Sequence, residues 1–374
     1  MTTVADVAAL CDRLWPPDWA ESWDNVGLLA GAPGGPADRC MWALDADPAA
    51  VDEAADAGCG LLLTHHPVPF RPLRRVIADD PAGAVVLLAA RRGVALYAAH
   101  TNLDVAPEGT GHCLGQALGL RSAGLLQTTS RDPLYKLVTF VPANHADAVR
   151  DALAAAGAGQ LGRYSHCSFG TAGTGTFRAL PGANPFVGEV GVLHREPEVR
   201  LEMLVPEPVR AAAVAALLRA HPYEEVAYDV IRLGNDGPAR GYGVVGDLRR
   251  AVPLSAYAAA VARRLEAPAT RYAGPPGRDV RRVAACGGAG AGCVPAALAA
   301  GADVLVTADV RYHEARDAEA AGLALVDPGH QATEWPVVPG AAAALRRSAE
   351  AAGVALEVLV ARRRGDVWNA PRRG

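Results

Sequence analysis

A chain of 374 residues exceeds what one ordinary hydrophobic core organises, so two or three domains are expected. With 51% hydrophobic and 20% charged residues it has the material for sizeable cores, which excludes disorder as the main state. A formal net charge of -4 leaves no chain-wide basic field, so nucleic acid is not an expected partner.

The first residues lack a basic segment followed by an apolar stretch. No apolar run approaches the ~18–20 residues needed to cross a bilayer, so a cytoplasmic protein with no membrane partner is expected. The seven cysteines show no C-x-x-C spacing and read as small buried hydrophobes of a reducing compartment. Asp24 and Asn25 follow Trp23 in a loop; they either line a pocket or mark a turn. Two apolar runs without alternation follow, at 60–65 and 94–100, each the signature of a strand covered on both faces. Both end in polar, reactive side chains. In open α/β sheets ligands gather at the carboxyl ends of strands.

The middle of the chain has another rhythm. A strand at 135–143 and a helix at 146–156 precede short strands near 166–170 and 176–180. A strand at 199–207, a helix at 209–220 and a strand at 226–234 complete a ferredoxin-like α+β layout. Gly/Pro-rich stretches at 131–133 and 235–238 are its hinges. Residues 133–238 therefore read as an inserted domain between two α/β portions, 1–132 and 239–374.

In the last portion a strand at 282–285 leads into the glycine-rich 286–292, a close-packing turn or a phosphate cradle that lacks the Lys-Ser/Thr of a P-loop. Apolar runs recur at 302–309 and 323–327. Helix, small-residue turn, strand and polar cluster follow each other at 55–65 and again at 298–309, and 93–100 resembles 322–330. The expected fold class is α/β, with two similar halves whose strand ends converge, unless the echo is only the common look of βα units. The basic tail at 361–374 reads as a solvated terminus rather than a site for an acidic partner.

Three stretches carry the chemistry. In Thr64-His65-His66-Pro67, neighbouring strand residues point to opposite faces, but a turn forced by Pro67 lets the two imidazoles diverge toward adjacent metal sites. The alternative is a pair of hydrogen-bonded histidines in a turn. After 94–100 come His100, Asn102 and Asp104, the last a hard oxygen ligand or part of an Asx-type turn. In Asp327-Pro-Gly-His330-Gln-Ala-Thr-Glu334 a helix beginning at His330 places His330 and Glu334 at i and i+4, on one face. Three imidazoles and two carboxylates are a sparse shell for one closed structural zinc and suit two ions sharing a carboxylate. His313 follows the run at 302–309 and is a second candidate proton carrier beside His100, or a plain helix-face histidine.

These motifs together, with 21–30 (ESWDNVGLLA), 241–248 (GYGVVGDL) and 302–315 (ADVLVTADVRYHEA), resemble the GTP cyclohydrolase I type 2 homolog family, also called the Nif-three-like dinuclear-metal proteins. The resemblance covers nearly the whole chain. It implies that His65 and His330 serve one ion, His66 and Asp104 the other, and that Glu334 bridges them. It also implies two divalent ions per subunit (zinc, iron or manganese), a regulatory-protein-like middle domain, and a homohexamer. Departures from the family pattern at 111–115, Ala308, Arg311 and Gln331 remove no ligand. The expected activity is metal-dependent hydrolysis of a nucleotide or a small heterocyclic or phosphorylated substrate. The alternative is a non-catalytic metal-binding or ligand-sensing oligomeric scaffold.

Overall fold

The computed structural model of the chain describes residues 1–362 and 366–368; most of the basic tail singled out above lies outside the described residues. The fold is mixed α/β, in two compact units. One comprises Met1–Thr129 and the chain from Arg240 onward, the other Ser130–Ala239.

The larger unit begins α1 (Val4–Leu14), β1 (Gly27–Ala30), β2 (Arg39–Ala43), α2 (Pro48–Asp56), β3 (Leu61–Thr64), α3 (Pro81–Arg92), β4 (Ala95–Ala98), α4 (Thr101–Asp104), α5 (Thr110–Leu118) and β5 (Arg121–Arg131). The smaller unit holds β6 (Leu134–Pro142), α6 (Ala146–Ala155), β7 (Ser168–Arg178), β8 (Leu193–Pro206), α7 (Arg210–Ala220) and β9 (Tyr228–Arg232). The larger unit resumes with β10 (Ala239–Pro253), α8 (Leu254–Arg264), β11 (Arg271–Ala273), β12 (Asp279–Ala285), α9 (Val294–Ala299), β13 (Val304–Val306) and α10 (Tyr312–Ala320). It ends with β14 (Ala324–Asp327), α11 (His330–Glu334), α12 (Val337–Ala351) and β15 (Glu357–Val360).

Local chemistry explains the helix limits. The Thr3 hydroxyl accepts from the Asp6 N–H while the Asp6 carboxylate accepts from the Thr3 N–H, a capping box that starts α1. Asp47 and Asp80 cap α2 and α3, each with proline at the first helical position. Gly93 ends α3 in the left-handed region, at φ +70°.

The larger unit contains two sheets of matching design. In the first the order is β1-β4-β3-β2-β15, with β4, β3, β2 and β15 parallel and β1 antiparallel at the edge. In the second it is β11-β14-β13-β12-β10-β5, with β14, β13 and β12 parallel and β11 antiparallel at the edge. Each sheet also recruits a strand from far away in sequence. C-terminal β15 joins the first sheet beside β2, and β5 joins the second beside β10. Leu61 and Leu63 point into a core with Trp42, Tyr97 and Leu345, whereas Leu62 points into another with Met41, Val51 and Leu96. Burial on both faces is why this strand is continuously apolar. Val304 and Val306 against Leu305 divide in the same way. Each fully buried side chain of this size contributes about 1.5–3 kcal/mol.

The smaller unit is a βαββαβ chain with the antiparallel sheet β7-β8-β6-β9. Leu137, Val141, Leu201 and Met203 pack with Val149 and Leu217 of its two helices. The expected pair of short strands near 166–170 and 176–180 is one strand of 11 residues, β7, paired with β8 from Ser168↔Met203 to Arg178↔Leu193. The glycines at 170, 173 and 175 look like turn residues but lie in this ladder. Among the described residues no helix is long and apolar enough to cross a membrane.

Candidate metal centre

Five strand ends of the larger unit supply the polar groups. Just beyond β3, the His66 N–H donates to the Leu44 carbonyl at 2.9 Å and the Thr64 hydroxyl donates to the His66 carbonyl at 2.8 Å. This turn leaves the His65 and His66 rings 5.1 Å apart, with the His66 ring 5.5 Å from that of His330. His100 follows β4, with its ring 5.1 Å from His65 and 5.7 Å from His66. After β14, the Asp327 carboxylate accepts from the Gly329 N–H, and Gly329 at φ +97° turns the chain into α11. That helix starts at His330, so His330 and Glu334 share a face, with Nε2 and Oε2 3.0 Å apart.

The four imidazoles are oriented by one device. The Nδ1–H of His65 donates to the Ala99 carbonyl at 3.0 Å, that of His66 to Asp45 at 2.7 Å, that of His100 to Asp24 at 2.9 Å and that of His330 to Asp309 at 2.7 Å. A proton on Nδ1 leaves Nε2 as a bare lone pair, the arrangement of a metal-binding histidine. The Nε2 atoms of His66 and His330 lie 2.9 and 3.0 Å from the same Glu334 oxygen, Oε2. His65 Nε2 lies 3.5 Å from Asp104 Oδ1 and 3.8 Å from Glu334 Oε1. Those first separations suit hydrogen bonds, but the directions do not. Glu334 Oε2 and His65 Nε2 are buried without a hydrogen-bond partner. Leaving such groups unpartnered in a dry site is costly, and a cation among them would resolve both deficits. His65, His66 and His100 form one group that can hold a metal ion, and His66, His330 and Glu334 form another. The grouping differs from the one the resemblance implies, because here His66, not His65, shares a carboxylate oxygen with His330.

As charges, these residues act on one another. Burial opposes ionisation of Glu334, but His330, His65 and His66 hold its carboxyl well below the usual range. Burial likewise works against a charged His66, yet Asp45 and Glu334 push it up to about 10. Glu334 chiefly lifts His330 to about 9, against burial and with help from Asp309. His65 rises too, Asp104 and Glu334 outweighing its complete burial.

The remaining sequence candidates divide. Asp24 is a buried anchor whose carboxylate also accepts from the Thr101 N–H and hydroxyl. Burial opposes its charge, but His100 and Thr101 hold it strongly ionised. Asn102 makes the local turn, accepting from the His100 N–H and donating to the Trp15 carbonyl, which leaves Asp104 free to face His65. His313 is exposed on α10 with its ring against Tyr312, and it belongs to neither metal-capable group. The glycine-rich 286–292 is a packing turn. Its Gly288 and Gly290 N–H groups donate to the Thr333 and Thr307 hydroxyls rather than facing open space. A Cβ on Gly288 would stand 2.3 Å from Glu334 Oε1, so this glycine makes room for the carboxylate. Sequence reasoning assigned no role to Asp45 or Asp309. Their one signal is position, since each lies two or three residues past an apolar strand.

Residues 2–366 match the sequence model of the Duf34/NIF3 (NGG1p interacting factor 3) family. A Halalkalibacterium halodurans protein named GTP cyclohydrolase 1 type 2 homolog is 42% identical over 324 residues, which is 87% of this chain and 87% of that one. A Mycobacterium tuberculosis protein of the same name is 41% identical over 370 residues, covering 98% and 96% of the two chains. Among solved structures, a Bacillus cereus protein related to NIF3 aligns with a TM-score of 0.92 at 36% identity, over 99% of both chains. Staphylococcus aureus protein SA1388 aligns with a TM-score of 0.75 at 27% identity, also over 99% of both. The chain belongs to the DUF34/NIF3 family.

Proposed function

We propose that this chain is a dinuclear divalent-metal protein that hydrolyses a nucleotide or a small heterocyclic substrate. The carrying observation is the convergence of imidazole Nε2 atoms, each with its Nδ1 tied back to an oxygen, on a buried carboxylate. His65, His66, Asp104, His330 and Glu334 would hold two ions such as zinc, iron or manganese, with Glu334 between them. When bound, such ions lower the pKa of water and polarise a substrate oxygen. The protein's own part is orientation and proton transfer. His100, fixed through Nδ1 by Asp24, has Nε2 free to take a proton and return it. Trp23 and Phe70 are 58% and 44% exposed, and each ring lies 6.1 Å from His100. Such a pair offers an apolar platform for a flat heterocycle beside the reacting groups. The name shared by the relatives makes GTP the first substrate to try.

In the same proposal the smaller unit is a ferredoxin-like domain inserted between two α/β halves, supported by its βαββαβ order and antiparallel sheet. The protein would be cytoplasmic and would assemble as a homohexamer, which light scattering checks. The function is tested by loading the purified chain with each metal, counting ions by mass spectrometry, and following GTP and a metabolite panel by liquid chromatography. Two ions per chain and turnover abolished in Glu334→Ala are expected. Turnover of nothing, with metal content unaffected by Glu334→Ala, overturns it.

A further inference from the structure

The smaller unit contains a cavity of about 810 Å³, and none of its lining residues is a candidate metal ligand. It lies over the β7–β8 pair and its origin is legible in the register. On one face of this ribbon Gly173 stands opposite Glu198 and Gly175 opposite Glu196. Two positions without side chains thus face two long acidic ones, and the missing volume becomes a hollow. The rings of Phe177, Phe186 and Tyr223 wall it, with Phe177 and Phe186 6.2 and 6.1 Å from Tyr223. Its size and mostly apolar wall are those of a small-molecule site.

The charge in this cavity is one-sided at depth. Glu198 is only 9% exposed. Its Oε1 accepts from the Tyr223 hydroxyl at 2.8 Å, and its Oε2 accepts nothing among the described residues. A Cβ on Gly175 would lie 2.0 Å from that Oε2, so glycine is what lets the carboxylate lean into the hollow. The lining arginines, Arg178 and Arg200, are exposed, and Arg200 pairs with Glu202 at 2.9 Å. Glu196 is taken by His194, and Glu224 by the Asn184 N–H. A buried carboxylate that has a neutral hydroxyl as its partner, and no ion pair among the described residues, is held at a cost that a cationic ligand removes. Aromatic faces around it favour the same ligand.

We propose that this cavity binds a small organic cation, an ammonium or amidinium group on an aromatic or branched apolar body, with the charge on Glu198 and the body among Phe177, Phe186 and Tyr223. The test uses the full-length protein and titration calorimetry with phenethylamine and benzamidine as probes, against phenylacetate as the anionic counterpart. Saturable binding of the two cations is expected, with phenylacetate at least tenfold weaker. Glu198→Gln and, independently, Gly175→Ala should each weaken the cations at least tenfold and leave metal content unchanged. The proposal is overturned if phenylacetate binds as well as phenethylamine, if both variants bind like the parent, or if neither cation binds. The last is also the result that a second copy filling the hollow would give. Should Glu198→Gln fail to fold, the cation-against-anion comparison on the parent protein and Gly175→Ala still decide.

Discussion

Asp309→Asn isolates one charge. Asp309 has φ +54°, in the left-handed region that asparagine tolerates as well as aspartate, so the exchange leaves the backbone unstrained. The new amide oxygen can still accept the Nδ1–H of His330, which the carboxylate does at 2.7 Å, so the tautomer that bares Nε2 survives. What disappears is the negative charge that makes the imidazole a better donor to a metal. Changes to such supporting groups typically cost about 10–100-fold in metal affinity, or about 1.4–2.7 kcal/mol at 1.36 kcal/mol per decade. The Asp309 side chain is 52% exposed and its field is screened by water, which places the expectation at the lower end, about tenfold. Competition with a chromophoric chelator reads this out, with Asp317→Asn, an exposed acid of α10, as the control for a general charge effect. Asp309→Ala removes the acceptor and strains the backbone, and it should lose more. If Asp309→Asn binds zinc or manganese within twofold of the control variant, the Nδ1 partners do not tune a metal site and the reading of all four histidines fails.

Gly288→Ala places a Cβ 2.3 Å from Glu334 Oε1 at a residue with φ +63°, so it should lower stability by about 1–3 kcal/mol and abolish metal retention; a variant that melts and loads like the parent refutes the cradle. Leu345→Ala, in the core behind the first sheet, should cost about 2–5 kcal/mol in denaturant titrations while metal stoichiometry stays the same. His221 supplies a pH dependence. Burial lowers its pKa, its Nδ1 accepts from the Tyr223 N–H, and its Nε2–H donates to the Phe140 carbonyl. The unfolded chain therefore takes up this proton more readily than the folded one. The contribution is fully present above the ordinary histidine pKa and is lost as pH falls through the depressed folded value. Amides of β6 and α7 should be less protected from hydrogen exchange at pH 5 than at pH 8, after correction for intrinsic rates. Equal protection at both, or the same pH difference in His221→Asn, would show that His221 is not the cause.

The legible parts of the sequence were those whose physics is local. Leu61-Leu62-Leu63 had to be a strand with both faces covered, and His330 with Glu334 had to share a face once a helix began at His330. The candidate ligands were visible because each follows such a strand directly. Asp45 and Asp309 were not, since each reaches its histidine from a different strand, and no spacing in the chain connects 45 to 66 or 309 to 330. His313 shows the same limit, since its place in the chain does not give its place in the fold. It follows β13 closely in sequence and lies exposed on α10, outside both metal-capable groups. The reading of β7 failed because glycine is ambiguous: Gly170, Gly173 and Gly175 have the composition of a turn, and only pairing with β8 shows them to be the floor of a strand. The exchange of β15 and β5 between sheets depends on partners more than a hundred residues away, and no local pattern announces it.

The distribution of candidate ligands between the two sheets of the larger unit has a thermodynamic consequence. His65, His66, His100 and Asp104 follow strands of the first sheet, and His330 and Glu334 follow β14 of the second. The first sheet alone gathers His65, His66 and His100, but the group of His66, His330 and Glu334 is complete only where both sheets are formed, so affinity at the Glu334 site requires both. An ion that binds this state and not the unfolded chain stabilises it by RT ln(1 + [L]/Kd), about 2.7 kcal/mol at a hundredfold excess over Kd. Hydrogen exchange with and without zinc should therefore show added protection in β3 and β14 together, at the same metal concentration and by a similar free energy. Glu334→Gln should remove it from both. Protection confined to one sheet would mean that the ion is held by that sheet's residues alone, and the shared site across β3, β4 and β14 would have to be abandoned.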